Sequence, residues 1–198
     1  MIIPINNKIL DDFKMINQEY LVDNRFYDLK SGVHEYRLYS YLSTFFNDTI
    51  ILDIGTKNGR SALALSHNNK NHVISYDIVN RINNRKHKIY TKKNLEFRVK
   101  DVLLDLNEDI VKKIKIVMID IDHYETIERM IIDRLNELNF SGIILLDDTT
   151  NHPEKDINIA MNRLWNNIEF KKYDVTKYGH WSGTGIVILN SDIDFEFS

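Results

Sequence analysis

The sequence predicts an α/β fold. It reads as a doubly wound, mostly parallel sheet of seven strands, with an antiparallel hairpin at the C-terminal end and a helical cap at the N-terminal end. Three observations predict it. Short apolar runs recur along the chain, and stretches of helical period separate most of them. That alternation stops after Trp165, where two strand-like runs follow each other directly. Only two prolines and seven glycines occur in 198 residues, so regular elements dominate and loops are few.

Taken in order, residues 1–48 read as helical, most clearly over His34–Phe46, and form the cap. Residues 49–198 form the sheet-bearing unit. Thr49–Ile54 (TIILDI) is a buried strand and Arg60–Ser66 the helix after it. His72–Asp77, Leu95–Val99, Ile114–Ile119 and Gly142–Leu146 are further strands. Helices are expected over Val102–Lys113, Tyr124–Leu138 and Glu154–Trp165; Ile127, Met130, Ile131, Arg134 and Leu138 mark the stripe of the second. Strands alternating with helices at this pitch imply a parallel sheet covered on both faces. Ile168–Val175 and Gly183–Leu189 lack a helix between them and read as the hairpin. The basic run Asn80–Lys93 (NRINNRKHKIYTKK) reads as a solvated connection, with contact to an anionic acceptor as the alternative.

Composition removes several classes. With 26 Lys and Arg against 29 Asp and Glu, the net charge is −3, so no overall positive field would hold a nucleic-acid backbone. The absence of cysteine excludes a disulfide scaffold, a thiolate zinc site and a cysteine nucleophile. No apolar run reaches the roughly 18 residues of a membrane span. The opening MIIPINNKILDDF carries Pro and acids where a signal peptide would carry basic and then apolar residues. The expectation is a soluble, cytoplasmic protein with no membrane or nucleic-acid partner; a homodimer is compatible with it.

In open α/β sheets ligands bind at the carboxyl ends of the strands. The first strand leads into Asp53-Ile54-Gly55-Thr56-Lys57-Asn58-Gly59-Arg60-Ser61. Gly55 and Gly59 permit close backbone approach, and the amides that open the next helix attract an anionic group. Asp77 ends the second strand, where a carboxylate can accept both hydroxyls of a ribose. Asp101 follows the third and is placed to accept from an adenine amino group. The fourth ends in Asp120-Ile121-Asp122-His123 and the fifth in Asp147-Asp148. Five consecutive strand ends carry carboxylates. Any one of them can serve merely as a helix cap.

Three nucleotide readings compete for the glycine loop. A dinucleotide fold wants G-x-G-x-x-G, but Lys57 stands at the second glycine. A phosphate-binding P-loop wants wider glycine spacing and a lysine where Arg60 stands, and Asp53 is a poor neighbour for a triphosphate. S-adenosylmethionine fits better, because its ammonium and its sulfonium are both positive and an acid-rich rim favours them.

The run ILDIGTKNGRSALALS resembles motif I of class I S-adenosylmethionine-dependent methyltransferases, in the form D-x-G-x-x-x-G-x-S. The blocks IVMIDIDHYETIERMIIDRLNEL and SGIILLDD are similar to the Methyltransf_24 group of small-molecule O-methyltransferases, and to the metal-dependent catechol and macrolide-sugar types. The likeness spans Thr49 to Trp165, and the closing hairpin suits that Rossmann-like fold. It implies Asp53, Gly55, Gly59 and Ser61 near the methionine moiety, Asp77 on the ribose and Asp101 near the adenine. It further implies Mg²⁺ or Mn²⁺ on Asp120, Asp147 and Asp148, with Asp120 counted among the cofactor contacts too and Asp122 an alternative ligand. An oxygen-only set suits those ions better than Zn²⁺. Lys57-Asn58 is bulkier than that glycine-rich pattern, and the N-terminal region matches no acceptor-binding pattern.

A hydroxyl needs a base or a metal to act as a nucleophile near neutral pH. His123 is the candidate base, against a plain capping role at the next helix, and His152 is a second candidate. Tyr178, His180 and Trp181 in the hairpin loop offer aromatic faces to a sugar, or simply close a hydrophobic edge. The expected reaction is O-methylation of a small molecule or a sugar/glycan hydroxyl. One rival is a glycosyltransferase using Asp120-Ile121-Asp122; another is a non-catalytic binding module that retains the fold.

Overall fold

A computed structural model describes residues 1–14, 20, 34–80 and 88–198. The chain runs β1 (Ile2–Ile5), α1 (Asn7–Asp12), α2 (Glu35–Ser43), β2 (Ile50–Ile54), α3 (Arg60–Leu65), β3 (His72–Asp77), β4 (Leu95–Val99) and α4 (Glu108–Val111). It continues with β5 (Ile114–Ile119), α5 (Thr126–Glu137), β6 (Gly142–Asp147), α6 (Lys155–Asn167), β7 (Lys171–Asp174), β8 (Thr184–Leu189) and β9 (Asp194–Phe197). Seven strands form one sheet in the order β4-β3-β2-β5-β6-β8-β7. β2 is parallel to β3 and β5, β3 to β4, and β5 to β6, whereas β8 is antiparallel to both β6 and β7. The expected sheet and hairpin are both present. Strand order reverses between β2 and β5, so their carboxyl ends flank the switch point.

Both faces are covered. Ile51, Val73, Ile116, Met118, Ile143 and Leu145 pack on one face with Leu38, Tyr39 and Leu42 of α2 and Leu63 of α3. Leu52, Ile54, Ile74, Val117, Ile144 and Leu146 pack on the other with Ile131 and Leu135 of α5 and Met161 and Leu164 of α6. Side chains alternate faces along a strand, so a strand buried on both sides must be apolar throughout, as β6 is. Each fully buried Ile or Leu contributes about 1.5–3 kcal/mol. The same alternation puts Asp53 on the face of Ile51, beneath α2 and α3.

Three elements depart from the sequence reading. The chain opens as a strand: β1 pairs in parallel with β9, from Ile2↔Asp194 to Ile5↔Phe197, burying Ile3 and Ile5. β9 itself was not expected. The helix expected over Val102–Lys113 is a 3-10 turn at Val102–Leu104 followed by the single turn α4. Asp101 accepts from the Leu103 N–H (2.9 Å), and Asn107 accepts from the N–H groups of Asp109 and Ile110 (3.0 and 3.1 Å). Two side-chain caps therefore start two short helices where the periodicity suggested one.

Within the expected cap, Asn6 starts α1 by accepting from the Ile9 N–H (2.8 Å). Arg37 donates to the carbonyls of Leu10 and Asp11 (3.0 and 2.8 Å), which fastens α1 to α2. The helical expectation for residues 15–19 and 21–33 lies outside the described residues, as do residues 81–87 of the basic run. Of that run's remainder, Lys88–Thr91 is a 3-10 turn and Lys92 is buried, its Nζ donating to Asn69 Oδ1 (2.9 Å). Among the described residues, no helix is long and apolar enough to cross a membrane.

Candidate active site

The turn after β2 is fixed by close approach to β5. Gly55 has φ +105°, and a Cβ there would stand 1.7 Å from the Asp120 carbonyl oxygen. The sequence reading gave this glycine to a ligand; the backbone of β5 requires it first. Lys57 takes φ +46°, a glycine-like conformation, and its N–H donates to Asp77 Oδ2 (3.1 Å). The other oxygen of Asp77 accepts from the Val79 N–H (2.9 Å), so this carboxylate ties the β2 and β3 turns together. Gly59, at φ +77°, precedes α3.

Asp53 lies under this turn and is only 1% exposed. Ser75 donates to its Oδ2 (2.6 Å), and Thr56 donates in turn to Ser75 (2.6 Å). Its Oδ1 is buried and has no hydrogen-bond partner. Burial pushes the carboxyl up to about 7; the hydroxyls of Ser61 and Ser75 oppose the shift, and the charges of Asp120 and Asp77 add to it.

A second group gathers at the ends of β5 and β6. His123 Nε2 stands 3.2 Å from Asp120 Oδ1 and 3.4 Å from Asp148 Oδ2. His152 Nε2 is 3.8 Å from the same Asp148 oxygen, and the two imidazole rings stack at 6.2 Å. From the β7–β8 loop, His180 Nδ1 approaches Asp148 Oδ1 (3.8 Å) and Asp147 Oδ1 (3.9 Å), and it also meets Ser182 Oγ. His123 and Asp148 both have positive φ, at 61° and 56°. Such strain persists where the surroundings over-determine it, and it clusters at functional sites.

The carboxyls in this group differ. Burial and the charges of Asp120, Glu35 and Asp148 hold Asp147 well above the usual carboxylate range. Asp148 lies below it: burial works against ionisation, but His180, Ser182, His123 and His152 outweigh burial. Burial likewise lowers His123, yet Asp120, Asp148 and Glu128 leave it raised overall. A raised imidazole between two carboxylates holds a proton more readily than a free one.

The structure brings together Asp120, His123, Asp147, Asp148, His152 and His180, with Asp53 beneath the adjoining turn. It does not add Asp101, which is exposed and caps its own turn, or Asp122, which is exposed and whose charge falls on Glu128. Tyr178 is buried and stacks on Phe197 (6.0 Å, 11°), closing a hydrophobic edge, whereas Trp181 is exposed.

Two participants were missed. Glu35 of α2 is buried and pushed up to about 7 by burial, with His180 opposing and Asp120 and Asp148 reinforcing the shift. The sequence offers His180 as an aromatic face of the hairpin loop; the fold makes it a neighbour of both aspartates. An acid at the first turn of a helix that buries Leu38, Tyr39 and Leu42 is the available sequence signal for Glu35.

The residues present fit a dication. Asp147, Asp148 and His180 each bring one ligand atom within 4.8 Å of the other two, and buried Asp147 Oδ1 accepts no hydrogen bond. The orphaned Asp53 Oδ1 likewise suits a cationic group above the glycine turn.

No family model matches this chain, and no curated protein matches it in sequence. Solved structures do. A Staphylococcus aureus protein designated a caffeoyl-CoA O-methyltransferase aligns with TM-score 0.58 and 15% identity, over 92% of this chain and 91% of its own. The O-methyltransferase TomG from Streptomyces achromogenes, in complex with SAM, aligns with TM-score 0.54 and 14% identity, over 93% and 90%. A Nostoc punctiforme protein designated an O-methyltransferase aligns with TM-score 0.52 and 12% identity, over 77% and 56%. The chain therefore has the Rossmann-like fold that these O-methyltransferase structures share.

Proposed function

We propose that the chain is an S-adenosylmethionine-dependent O-methyltransferase acting on a hydroxyl of a small molecule or a sugar/glycan. One observation carries the reading: Asp53, Asp120 and Asp147, which pair with no Lys or Arg among the described residues, converge beside the closely packed Gly55 turn. Burying such groups is costly unless a cation compensates. A sulfonium donor and a dication are both cations. The shared fold with a structure that holds SAM supports the same reading.

In this assignment Asp53, Gly55, Gly59 and Ser61 receive the methionine end of the donor, and Asp77 the ribose. Both Asp77 oxygens accept a backbone N–H, and a carboxylate oxygen can accept more than one hydrogen bond. Asp101 is kept near the adenine and Asp120 at the donor's edge. Asp147 and Asp148, with Asp120 across His123, would hold the cation, which lowers the pKa of an acceptor hydroxyl when bound.

Methyl transfer from a sulfonium is an in-line displacement, in which the C–S bond breaks as the O–C bond forms and the hydroxyl proton leaves. His123 is assigned that proton. Its base form is populated on the alkaline side of its raised pKa. Rigid strand ends position the groups, and alignment supplies much of the rate.

The glycosyltransferase reading needs Asp120 and Asp122 to grip one metal, but Asp120 pairs with His123 while Asp122 is exposed beside Glu128. Calorimetry separates the two. S-adenosylmethionine should bind at one site and a nucleotide-sugar should not; the reverse result removes the proposal.

A further inference from the structure

Three imidazoles surround Asp148, more nitrogen than an oxygen-only cation site uses. The Asp148 carboxylate divides them. His123 and His152 flank Oδ2, whereas His180 shares the side of Oδ1 with Asp147. Donors about 2.1 Å from one ion at tetrahedral angles stand about 3.4 Å from each other, so donors within about 4 Å need only a small closure onto a cation. His180 Nδ1 lies 3.8 Å from Asp148 Oδ1 and 3.9 Å from Asp147 Oδ1. The second observation is independent of that spacing. Asp147 is only 7% exposed, and the oxygen that faces His180 is the one that accepts no hydrogen bond.

We propose that His180 is a nitrogen ligand in a mixed carboxylate–imidazole site with Asp147 and Asp148, and that this site takes a first-row transition dication in preference to Mg²⁺. The inference rests on the cation assigned above and names which cation the donors select. Mg²⁺ prefers oxygen and keeps its waters, whereas imidazole suits Co²⁺, Zn²⁺ and their neighbours.

The loop is built to hold the ring. The His180 N–H donates to Thr184 Oγ1 (2.8 Å), and a Cβ on Gly179 would stand 2.3 Å from that same oxygen, so the turn is tightly packed. The Ser182 hydroxyl meets His180 Nδ1 and also reaches Asp148; turned to Asp148, it leaves the Nδ1 lone pair for the ion. His123, on Asp148 Oδ2, fixes the orientation of the carboxylate, the supporting role that groups behind metal ligands commonly play.

The test uses the full chain, stripped with a chelator and dialysed, then titrated with Mg²⁺, Mn²⁺, Co²⁺ or Zn²⁺ alone by calorimetry. Co²⁺ and Zn²⁺ should bind one site at least about 100-fold more tightly than Mg²⁺. His180→Ala should weaken Co²⁺ and Zn²⁺ about tenfold or more and leave Mg²⁺ within about twofold. Equal affinity for Mg²⁺ and Co²⁺ overturns the proposal, as does unchanged Co²⁺ affinity in His180→Ala. A readout on the unaltered chain covers the case in which the variant's hairpin is disturbed. Directly bound imidazole gives nitrogen modulation in the electron-spin-echo spectrum of the Mn²⁺-loaded protein, and its absence also overturns the proposal. S-adenosylmethionine is titrated separately into metal-free protein, so loss of the metal preference and loss of donor binding are distinct results.

Discussion

The carboxylates at the ends of β2 and β6 and those at the β4 edge are opposites. At the edge, Arg98 Nε donates to Glu96 (2.6 Å), the Arg98 guanidinium and the Tyr76 hydroxyl both reach Asp105, and Lys100 joins them. Glu96 and Asp105 are consequently held below the usual carboxylate range, chiefly by their hydrogen bonds to Arg98 and Lys100. At the switch point, Asp53, Asp147 and Glu35 are buried without such cations among the described residues and are pushed up, chiefly by burial. The difference separates acids already paired within the chain from those that the proposed function would use. A paired acid is already satisfied by its own chain, whereas an orphaned one stores unfavourable energy that a cationic ligand can relieve.

The largest effect should come from the switch-point side, at Asp148, whose partners are imidazoles rather than Lys or Arg. Asp148→Asn should lower methyl transfer about 10²–10³-fold, with S-adenosylmethionine affinity unchanged by calorimetry. Near-normal turnover would put Asp148 with the structural acids.

Next comes the pH dependence of Asp53. Its folded pKa, about 7, exceeds the ordinary 3.8, so the folded state holds the proton longer than the unfolded one. Stability from this group is full below about pH 4, declines as pH rises, and is lost above about pH 7, by on the order of 4 kcal/mol. Asp53→Asn lacks this decline. Its stability relative to the parent, read by denaturant melts of the ligand-free protein, should rise across that window; a gap independent of pH would break the contrast between the two regions.

Gly55→Ala combines an overlap with the Asp120 carbonyl and an unfavourable φ, and should cost about 2–4 kcal/mol in the same melts. A neutral result would mean that β5 does not fix this turn. Smallest is Glu96→Gln at the edge. Its carboxylate is 42% exposed, so the change should cost below about 1 kcal/mol and leave donor binding untouched. A larger loss there would show that the paired acids also support the site.

Legibility in the sequence follows the range of each interaction. The strands of the main sheet were readable because burial on both faces demands an unbroken apolar run such as Ile143-Ile144-Leu145-Leu146. The split at Val102–Lys113 was hidden, since capping by Asp101 and Asn107 competes with a periodicity that looks continuous. β1 and β9 were hidden for another reason: their pairing joins positions almost two hundred residues apart, which no local pattern records. Within the site, the acids at strand ends were legible as a series. Glu35 and His180 were not, because they reach it from a separate helix and from a hairpin loop.

The order of residues alone determined an α/β chain with carboxylates at successive strand ends and a glycine turn after the first strand of the main sheet. Those are local facts, set by period and by turn chemistry. Tertiary structure decided which acids stand together. It paired Glu96 and Asp105 with cations, left Asp101 on its own turn, sent Asp122 outward, and drew Glu35 and His180 toward Asp147 and Asp148. The physical reason is that desolvation and charge pairing depend on distance in space, and folding alone sets that distance.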